Sequence, residues 1–221
     1  MDDLPLRYFE MGGMPIDHSE QPIRLFESDF LEFFTHITPQ VVVAIWTPVI
    51  GWLIWRAFTF APMPGGYVHI PLAIICGIAL WSFAEYTLHR FVFHFHPKSD
   101  WGKRLVFLFH GIHHAQPQCK TRLVMPPAVS IPMAIIFYFL FSVVVEGLLA
   151  KPDWVDPMVA GFMIGYLVYD LIHYATHHYP IRGGFMKSLK RHHMKHHFKE
   201  PNLRFGVSST VWDHAFGTLP K

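Results

Sequence analysis

The chain has 221 residues, of which 52% are apolar and only 15% are charged. Soluble domains carry about 25% charged residues, so this composition excludes a disordered chain and disfavours a soluble globular domain. The net charge of +2 is too small to indicate a nucleic-acid partner, and two cysteines exclude a disulfide-stapled scaffold.

The first 36 residues hold eight of the sixteen acidic residues. From Leu25 to Ile37, apolar residues recur at roughly helical spacing with acidic residues between them. This pattern predicts an amphipathic helix that either lies on a membrane surface or packs on the protein's own cytosolic part. We treat residues 1–38 as an N-terminal cytosolic or interfacial segment and residues 39–221 as one membrane domain, with no N-terminal signal peptide expected.

Four apolar runs follow, each near the length of about 20 residues that a helix needs to cross a bilayer. Their connections at 61–66 and 151–153 are short and contain proline, which predicts two helical hairpins. The expected fold is therefore all-α, with four transmembrane helices in two hairpins and a cytosolic helical cap. The four runs cover residues 39–60, 67–88, 128–150 and 154–172.

The basic residues predict the orientation of these helices. Of the 18 lysines and arginines, only Arg56 and Lys151 lie near the hairpin turns, and the other sixteen lie on the opposite side. The positive-inside rule then places both termini and residues 89–127 in the cytoplasm.

Histidine is the outlier of the composition, with 17 residues. Ten of them form four patterned clusters, and the predicted topology places all four clusters on the cytosolic side, just outside the hydrocarbon. Ten imidazoles are too many for one metal ion and suit two ions with four or five nitrogens each. The ten are His89, His94, His110, His113, His114, His173, His177, His193, His196 and His197.

The spacing within the clusters sets geometric requirements. Residues at i, i+3 and i+4 share a helix face, so each His-x2-His-His cluster is expected to aim three imidazoles one way. His89 and His94 are five residues apart and diverge on an ideal helix, so the helix must end or bulge near Phe91.

Two acidic residues belong to the same pattern. Glu85 lies four residues before His89, and Asp170 lies three before His173. A metal-bound imidazole usually donates its other N–H to a carboxylate or carbonyl, so we expect these two acids to orient their histidines. The remaining histidines are expected to be structural or solvated; they are His18, His36, His69, His96, His178, His192 and His214.

The order His-x4-His, His-x2-His-His, His-x3-His, His-x2-His-His resembles that of the membrane fatty acid hydroxylase and sterol desaturase superfamily. Several local strings look like its fatty acid 2-hydroxylase branch, and the likeness runs from about residue 20 to the end. These strings are Phe26–Phe33, Phe83–His94, Arg122–Pro127, Gly165–Tyr174 and Phe205–Asp213. Some members carry an N-terminal cytochrome b5 domain, for which these 221 residues leave no room, so we expect the short, plant-type form without that domain.

The resemblance implies a non-haem di-iron monooxygenase that uses O2 to hydroxylate carbon 2 of a long acyl chain, either free or as the N-acyl chain of a ceramide. It implies two irons on the ten histidines and a separate electron donor such as cytochrome b5 or ferredoxin. Imidazole sites suit zinc as well as iron, and zinc binds them more tightly than ferrous iron, so we expect that zinc can occupy the same positions in isolated protein. The membrane would be the endoplasmic reticulum in a eukaryote or the inner membrane in a bacterium. Three alternatives stay open: oxidation of a sterol, alkane or carotenoid; metal transport or storage; and a non-catalytic lipid-binding relative.

Overall fold

The computed structural model describes residues 4–10, 15–60 and 67–220, so the predicted turn at 61–66 lies outside it. Within the described residues, all regular structure is helical. The helices are α1 (Leu4–Glu10), α2 (Asp29–Phe33), α3 (Pro39–Phe60), α4 (His69–Thr87), α5 (Asp100–Val106), α6 (Ile112–Ala115), α7 (Pro127–Phe141), α8 (Val155–His178), α9 (Gly184–Phe198) and α10 (Val211–Ala215). Wide π-helical turns continue α4, α5 and α7 through Leu88–Phe93, Phe107–Gly111 and Ser142–Leu148.

Four continuous helices are long and apolar enough to cross a membrane, which confirms the predicted fold class. They run over Pro39–Phe60, His69–Phe93, Pro127–Leu148 and Pro152–His178. The second and fourth extend five to six residues beyond the apolar runs that predicted them. Because the backbone stays helical beyond the apolar runs, these two helices carry His89, His173 and His177 toward the cap.

Helix α8 lies at the centre of the membrane bundle and is the most buried of the four. It packs against α4, α3 and α7, whereas α3 and α4 scarcely touch each other although they are consecutive. The α4–α8 contact brings backbone against backbone: a Cβ on Gly161 would lie 2.1 Å from the carbonyl oxygen of Ile74, and one on Gly77 would lie 2.1 Å from that of Met158. Small residues permit this close approach where no hydrophobic effect drives helices together.

The cap covers the histidine-bearing end of the bundle. It comprises α5, α6, α9, α10 and the loop at residues 203–208. Helix α1 packs on α5 and the π turn after it, where Tyr8 meets the buried ring of Phe107 at a centroid distance of 5.5 Å. The cap thus has a small apolar core of its own, which positions the histidine clusters over the ends of α4 and α8.

Candidate metal centre

The π-helical turn at Leu88–Phe93 resolves the five-residue spacing of His89 and His94. The amide of His94 donates to the carbonyl of His89 at 3.2 Å, an i→i+5 bond that places the two residues on one face. The bulge near Phe91 that the sequence requires is therefore present.

The structure brings all ten predicted histidines together in two groups of five. Within each group the nitrogens that could bind an ion lie within 4.8 Å of one another. The first group is His89, His94, His110, His114 and His196; the second group is His113, His173, His177, His193 and His197.

The spacing of the ring nitrogens fits a bound metal cation. In the first group, Nε2 of His110 lies 3.1 Å from that of His89 and 2.9 Å from that of His114. In the second group, Nε2 of His113 lies 3.0 Å from that of His173 and 2.9 Å from that of His197. Two imidazoles bound to one ion at about 2.1 Å and at right angles have their nitrogens about 3.0 Å apart. Five nitrogens facing a common point therefore suit one ion per group.

The two His-x2-His-His clusters divide between the groups, which corrects the expectation that each aims three imidazoles one way. His110 and His114 face the first group and His113 faces the second. In α9 the division is reversed, because His193 and His197 face the second group and His196 faces the first. Successive residues on a helix are about 100° apart, so the i+3 and i+4 positions lie on opposite flanks of the shared face.

Backbone carbonyls of the 203–208 loop orient two histidines of the first group. Nδ1 of His89 donates to the carbonyl of Phe205 at 2.5 Å, and Nδ1 of His196 donates to that of Leu203 at 2.7 Å. A proton held on Nδ1 leaves the Nε2 lone pair free to bind a metal. In the second group, Nδ1 of His113, His173, His193 and His197 has no hydrogen-bond partner among the described residues.

Glu85 and Asp170 do not orient their neighbouring histidines, so this expectation was wrong. Glu85 instead accepts from the amides of Val207 and Ser208, both at 2.8 Å, and from the Ser208 hydroxyl. Asp170 accepts from the amide of Met125 at 3.3 Å. Helical spacing places each carboxylate on the same face as a histidine. Each carboxylate nevertheless accepts hydrogen bonds from backbone amides of a loop and not from the histidine. Glu85 acts on His89 only through the loop that carries the Phe205 carbonyl.

The sequence reasoning missed Asp213, the second anchor of this loop. Its fully buried carboxylate accepts from the amides of Phe205 at 2.9 Å and Gly206 at 2.8 Å, and from Nε2 of His192 at 3.0 Å. Burial alone would raise the pKa of Asp213, but the hydrogen bonds from His192, Thr218 and Gly206 outweigh it and lower the pKa. Asp213 lies at the end of a string that drew attention only through family resemblance.

The buried histidines of the cap are neutral. Burial, followed by the proximity of the other imidazoles, lowers the pKa of His110, His113 and His114 well below the usual value. Burial lowers the pKa of His196 to about 4, against the opposing hydrogen bond to Leu203. These imidazoles therefore present lone pairs at neutral pH, as metal binding requires.

Comparison with known proteins agrees with this arrangement. The fatty acid hydroxylase family profile matches residues 74–218, which hold all ten histidines. The chain belongs to the fatty acid hydroxylase family. It is 38% identical to the dihydroceramide fatty acyl 2-hydroxylase FAH1 of Arabidopsis thaliana, over 96% of this chain and 86% of that protein. It is 36% identical to the fatty acid 2-hydroxylase of Mus musculus, over 96% of this chain and 60% of that one.

A solved structure of full-length scs7p, in which only the hydroxylase domain is visible, matches with a TM-score of 0.78. That match covers 87% of this chain and 70% of the other, at 36% identity. The comparisons thus confirm the superfamily resemblance drawn from the histidine order and the 2-hydroxylase resemblance drawn from the local strings.

In this fatty acid hydroxylase, an apolar cavity of about 300 Å³ meets both histidine groups. His110 of the first group and His113 and His173 of the second line its wall. The remaining wall is mainly aliphatic and aromatic and comes from residues 25–35, the turn after α5 and residues 122–129; Arg122, Tyr169 and Asp170 also line it.

The seven histidines expected to be structural or solvated lie outside both groups. His192 binds Asp213, and His36 binds the Thr121 hydroxyl through Nδ1 at 2.8 Å. His69 faces the carboxylate of Asp153 at 3.5 Å, near the opposite end of the bundle.

Proposed function

We propose that this chain is an O2-dependent di-iron hydroxylase that adds a hydroxyl to carbon 2 of a long acyl chain. The acyl chain is a free fatty acid or the N-acyl chain of a ceramide. The observation that carries this proposal is the apolar cavity, whose wall includes histidines of both groups. A substrate in the cavity lies beside both metal positions at once.

The cavity suits an acyl chain better than a polar substrate. Leu25, Leu105, Leu108 and Val124 are typical of its lining, and ligand sites lined in this way gain their affinity from burial of apolar surface. Carbon 2 is adjacent to the head group, so the reacting carbon needs to pass only slightly beyond the polar region to reach the histidines.

The chemistry requires a redox metal. An unactivated C–H bond offers no leaving group, so acid–base catalysis alone does not cleave it. Iron bound by the two histidine groups would supply the reduction of O2 that makes C–H cleavage possible. The overall change consumes O2, two electrons and two protons, and gives the alcohol and water.

The protein's own residues hold and shield this centre. The ten imidazoles are neutral donors, and the Phe205 and Leu203 carbonyls fix two of them in orientation. All members of the two groups except His94 and His177 are buried, which limits the access of bulk water to the metal-binding nitrogens. Exclusion of water protects the reaction from competing chemistry.

The electrons come from a separate donor, such as cytochrome b5 or a ferredoxin. We infer that the histidine groups and both termini face the cytosol, because sixteen of the 18 basic residues are predicted from the sequence to lie on that side. The membrane is the endoplasmic reticulum in a eukaryotic cell and the inner membrane in a bacterium.

Mass spectrometry of lipids tests the activity. A host that expresses the chain under ¹⁸O2 should gain acyl chains with one labelled hydroxyl at carbon 2, and a host expressing His113→Ala should not. A new double bond, a hydroxyl at another carbon, or oxygen derived from water would contradict the proposal.

A further inference from the structure

The segment Leu25–Ile37, here called the strap, lies across the cavity. It contributes Leu25, Phe26, Leu31, Phe34 and Thr35 to the cavity wall. Its only regular structure is the single turn of α2, much shorter than the predicted amphipathic helix. Contacts of its side chains, rather than helical hydrogen bonds, therefore hold the strap in place.

The outer face of the strap is mixed: Glu27 and Asp29 are exposed together with Phe30 and Phe33, and Asp29 pairs with Arg24. The acidic Glu32 points inward, where it accepts from the amides of Leu25 and Phe26, both at 2.9 Å, and pairs with Arg122, whose side chain is only 3% exposed. Phe30 and Phe33 point outward and are 71% and 72% exposed. Phe30 and Phe33 both pack against Phe34, so they form an exposed aromatic patch. An aromatic patch beside charged residues suits a membrane interface, where the rings reach the acyl chains and the charges stay among the head groups.

The ends of the strap fix its depth relative to the membrane. Ile37, its last residue, precedes the membrane-spanning α3 by two positions, and the amide of Ile37 donates to the carbonyl of Thr121 at 2.7 Å. Residues 122–126 then lead directly into α7, the third membrane-spanning helix. The exposed phenylalanines are thus continuous with the lipid-facing surface of the bundle, at the end that carries the histidines.

Three residues are both half-exposed and part of the cavity wall. Leu31 is 49%, Phe34 44% and Phe109 47% exposed, and all three line the cavity. They form an apolar rim between the outer surface of the strap and the interior that meets His110 and His113. An acyl chain crossing this rim passes from one apolar surface to the mainly apolar wall of the cavity.

We propose that the strap sits in the membrane leaflet with Phe30 and Phe33 among the lipid acyl chains, and that the rim of Leu31, Phe34 and Phe109 is the entrance through which a lipid passes sideways from the leaflet into the cavity. The identity of the lipid rests on the proposed function, but the position of the strap in the membrane leaflet does not. Glu32 and Arg122 hold the strap so that its aromatic face stays outward.

Photo-crosslinking tests whether the strap lies in the membrane, and it does not require enzymatic turnover. A benzophenone-bearing phenylalanine analogue is placed at position 33 in the full chain, reconstituted in phosphatidylcholine nanodiscs and illuminated. Position 75 serves as the lipid reference, because Ile75 is exposed in the middle of α4, and position 20 serves as the water reference, because Glu20 is exposed and polar. We expect position 33 to form lipid adducts at a yield within twofold of position 75; a yield equal to that of position 20 overturns the proposal.

Measurements of KM and kcat test whether the lipid enters the cavity across the rim. Phe33→Ser changes a residue outside the cavity wall, so we expect its KM for a long-chain lipid supplied in vesicles to rise about tenfold at constant kcat. Its KM for a short-chain acyl substrate in detergent should equal that of the unmodified chain. Phe185→Ser is the matched control, since Phe185 is 67% exposed but lies on α9, away from the cavity, and should change neither constant.

The two kinds of failure can be separated. If Phe33→Ser leaves both KM values unchanged, or raises both equally, the entrance is wrong even though the hydroxylase assignment stands. If the unmodified chain hydroxylates neither the long-chain lipid nor the short-chain substrate, the proposed function is wrong, and the crosslinking result still decides where the strap sits.

Discussion

His196 and His197 are consecutive in α9 but face different histidine groups. Nε2 of His196 lies 3.1 Å from Nε2 of His94, whereas Nε2 of His197 lies 2.9 Å from Nε2 of His113. The same division occurs at His113 and His114. Two short helices thus each supply donors to both groups, so a substitution at either neighbour affects a different ion.

Removal of a single histidine therefore has a defined effect on metal content. We expect His196→Ala and His197→Ala each to lower the metal content and to lose turnover, because each removes one of the five nitrogens of a different group. His18→Ala, outside both groups, should keep full metal content. Metal analysis of the purified proteins checks this, and equal content in all three would disprove the ligand assignment.

Glu85 should stabilise the first group indirectly. Glu85→Ala leaves the buried amide of Val207 and the amide of Ser208 without their acceptor, which costs about 2–4 kcal/mol of unfolding free energy. Glu85→Gln keeps one oxygen for both amides and should lose less. Thermal melts and metal retention during dialysis measure both effects; a Glu85→Ala protein as stable and as metal-loaded as the unmodified chain would refute this role.

Gly161 should tolerate no side chain. The Cβ of Gly161→Ala would meet the backbone carbonyl of Ile74, which cannot rotate away, so we expect a loss of about 3 kcal/mol. Gly51→Ala is the control, because no atom lies within 4 Å of its added Cβ. It should be neutral or stabilise α3 by up to about 1 kcal/mol. Unfolding in mixed micelles compares them, and similar values for the two variants would contradict the close α4–α8 packing.

The metal-free protein should be sensitive to mild acid. Burial holds the folded-state pKa of the cap histidines below the unfolded value of about 6.5, so protonation favours the unfolded state. Stability is therefore complete above about pH 6.5 and falls as the pH decreases toward the folded pKa. For His196 alone, with a pKa of about 4, the loss is about 3 kcal/mol. Melting temperatures of chelator-stripped protein between pH 7.5 and 4.5 should fall steeply; a flat profile would be inconsistent with neutral buried imidazoles.

Iron, rather than zinc, should support turnover. The ten imidazoles suit either metal, and zinc binds nitrogen sites more tightly than ferrous iron does. Zinc has no redox chemistry, so a zinc-loaded preparation should be folded and inactive, and exchange to iron should restore hydroxylation. Hydroxylation by iron-free, zinc-loaded protein given O2 and an electron donor would exclude the proposed chemistry.

Local spacing was sufficient to identify the ten histidines and the irregular turn between His89 and His94. Both follow from helix periodicity, which acts over a few residues. The length of α4 and α8 beyond the apolar runs was not predictable from hydropathy, because the cap, not lipid, stabilises their last turns. The true partners of Glu85 lie more than 120 residues away in the chain, where no periodicity constrains them.

In each His-x2-His-His cluster the middle histidine, His113 or His196, faces the other group from its two neighbours. The binding of one ion therefore affects the binding of the other. The first ion to bind orders α6 and α9 relative to each other. The second ion then binds to helices that are already ordered, so its binding costs less conformational entropy. Loading should consequently be cooperative. A preparation with an average of one ion per chain would consist mainly of fully loaded and empty molecules, so its activity would scale linearly with metal content rather than with its square.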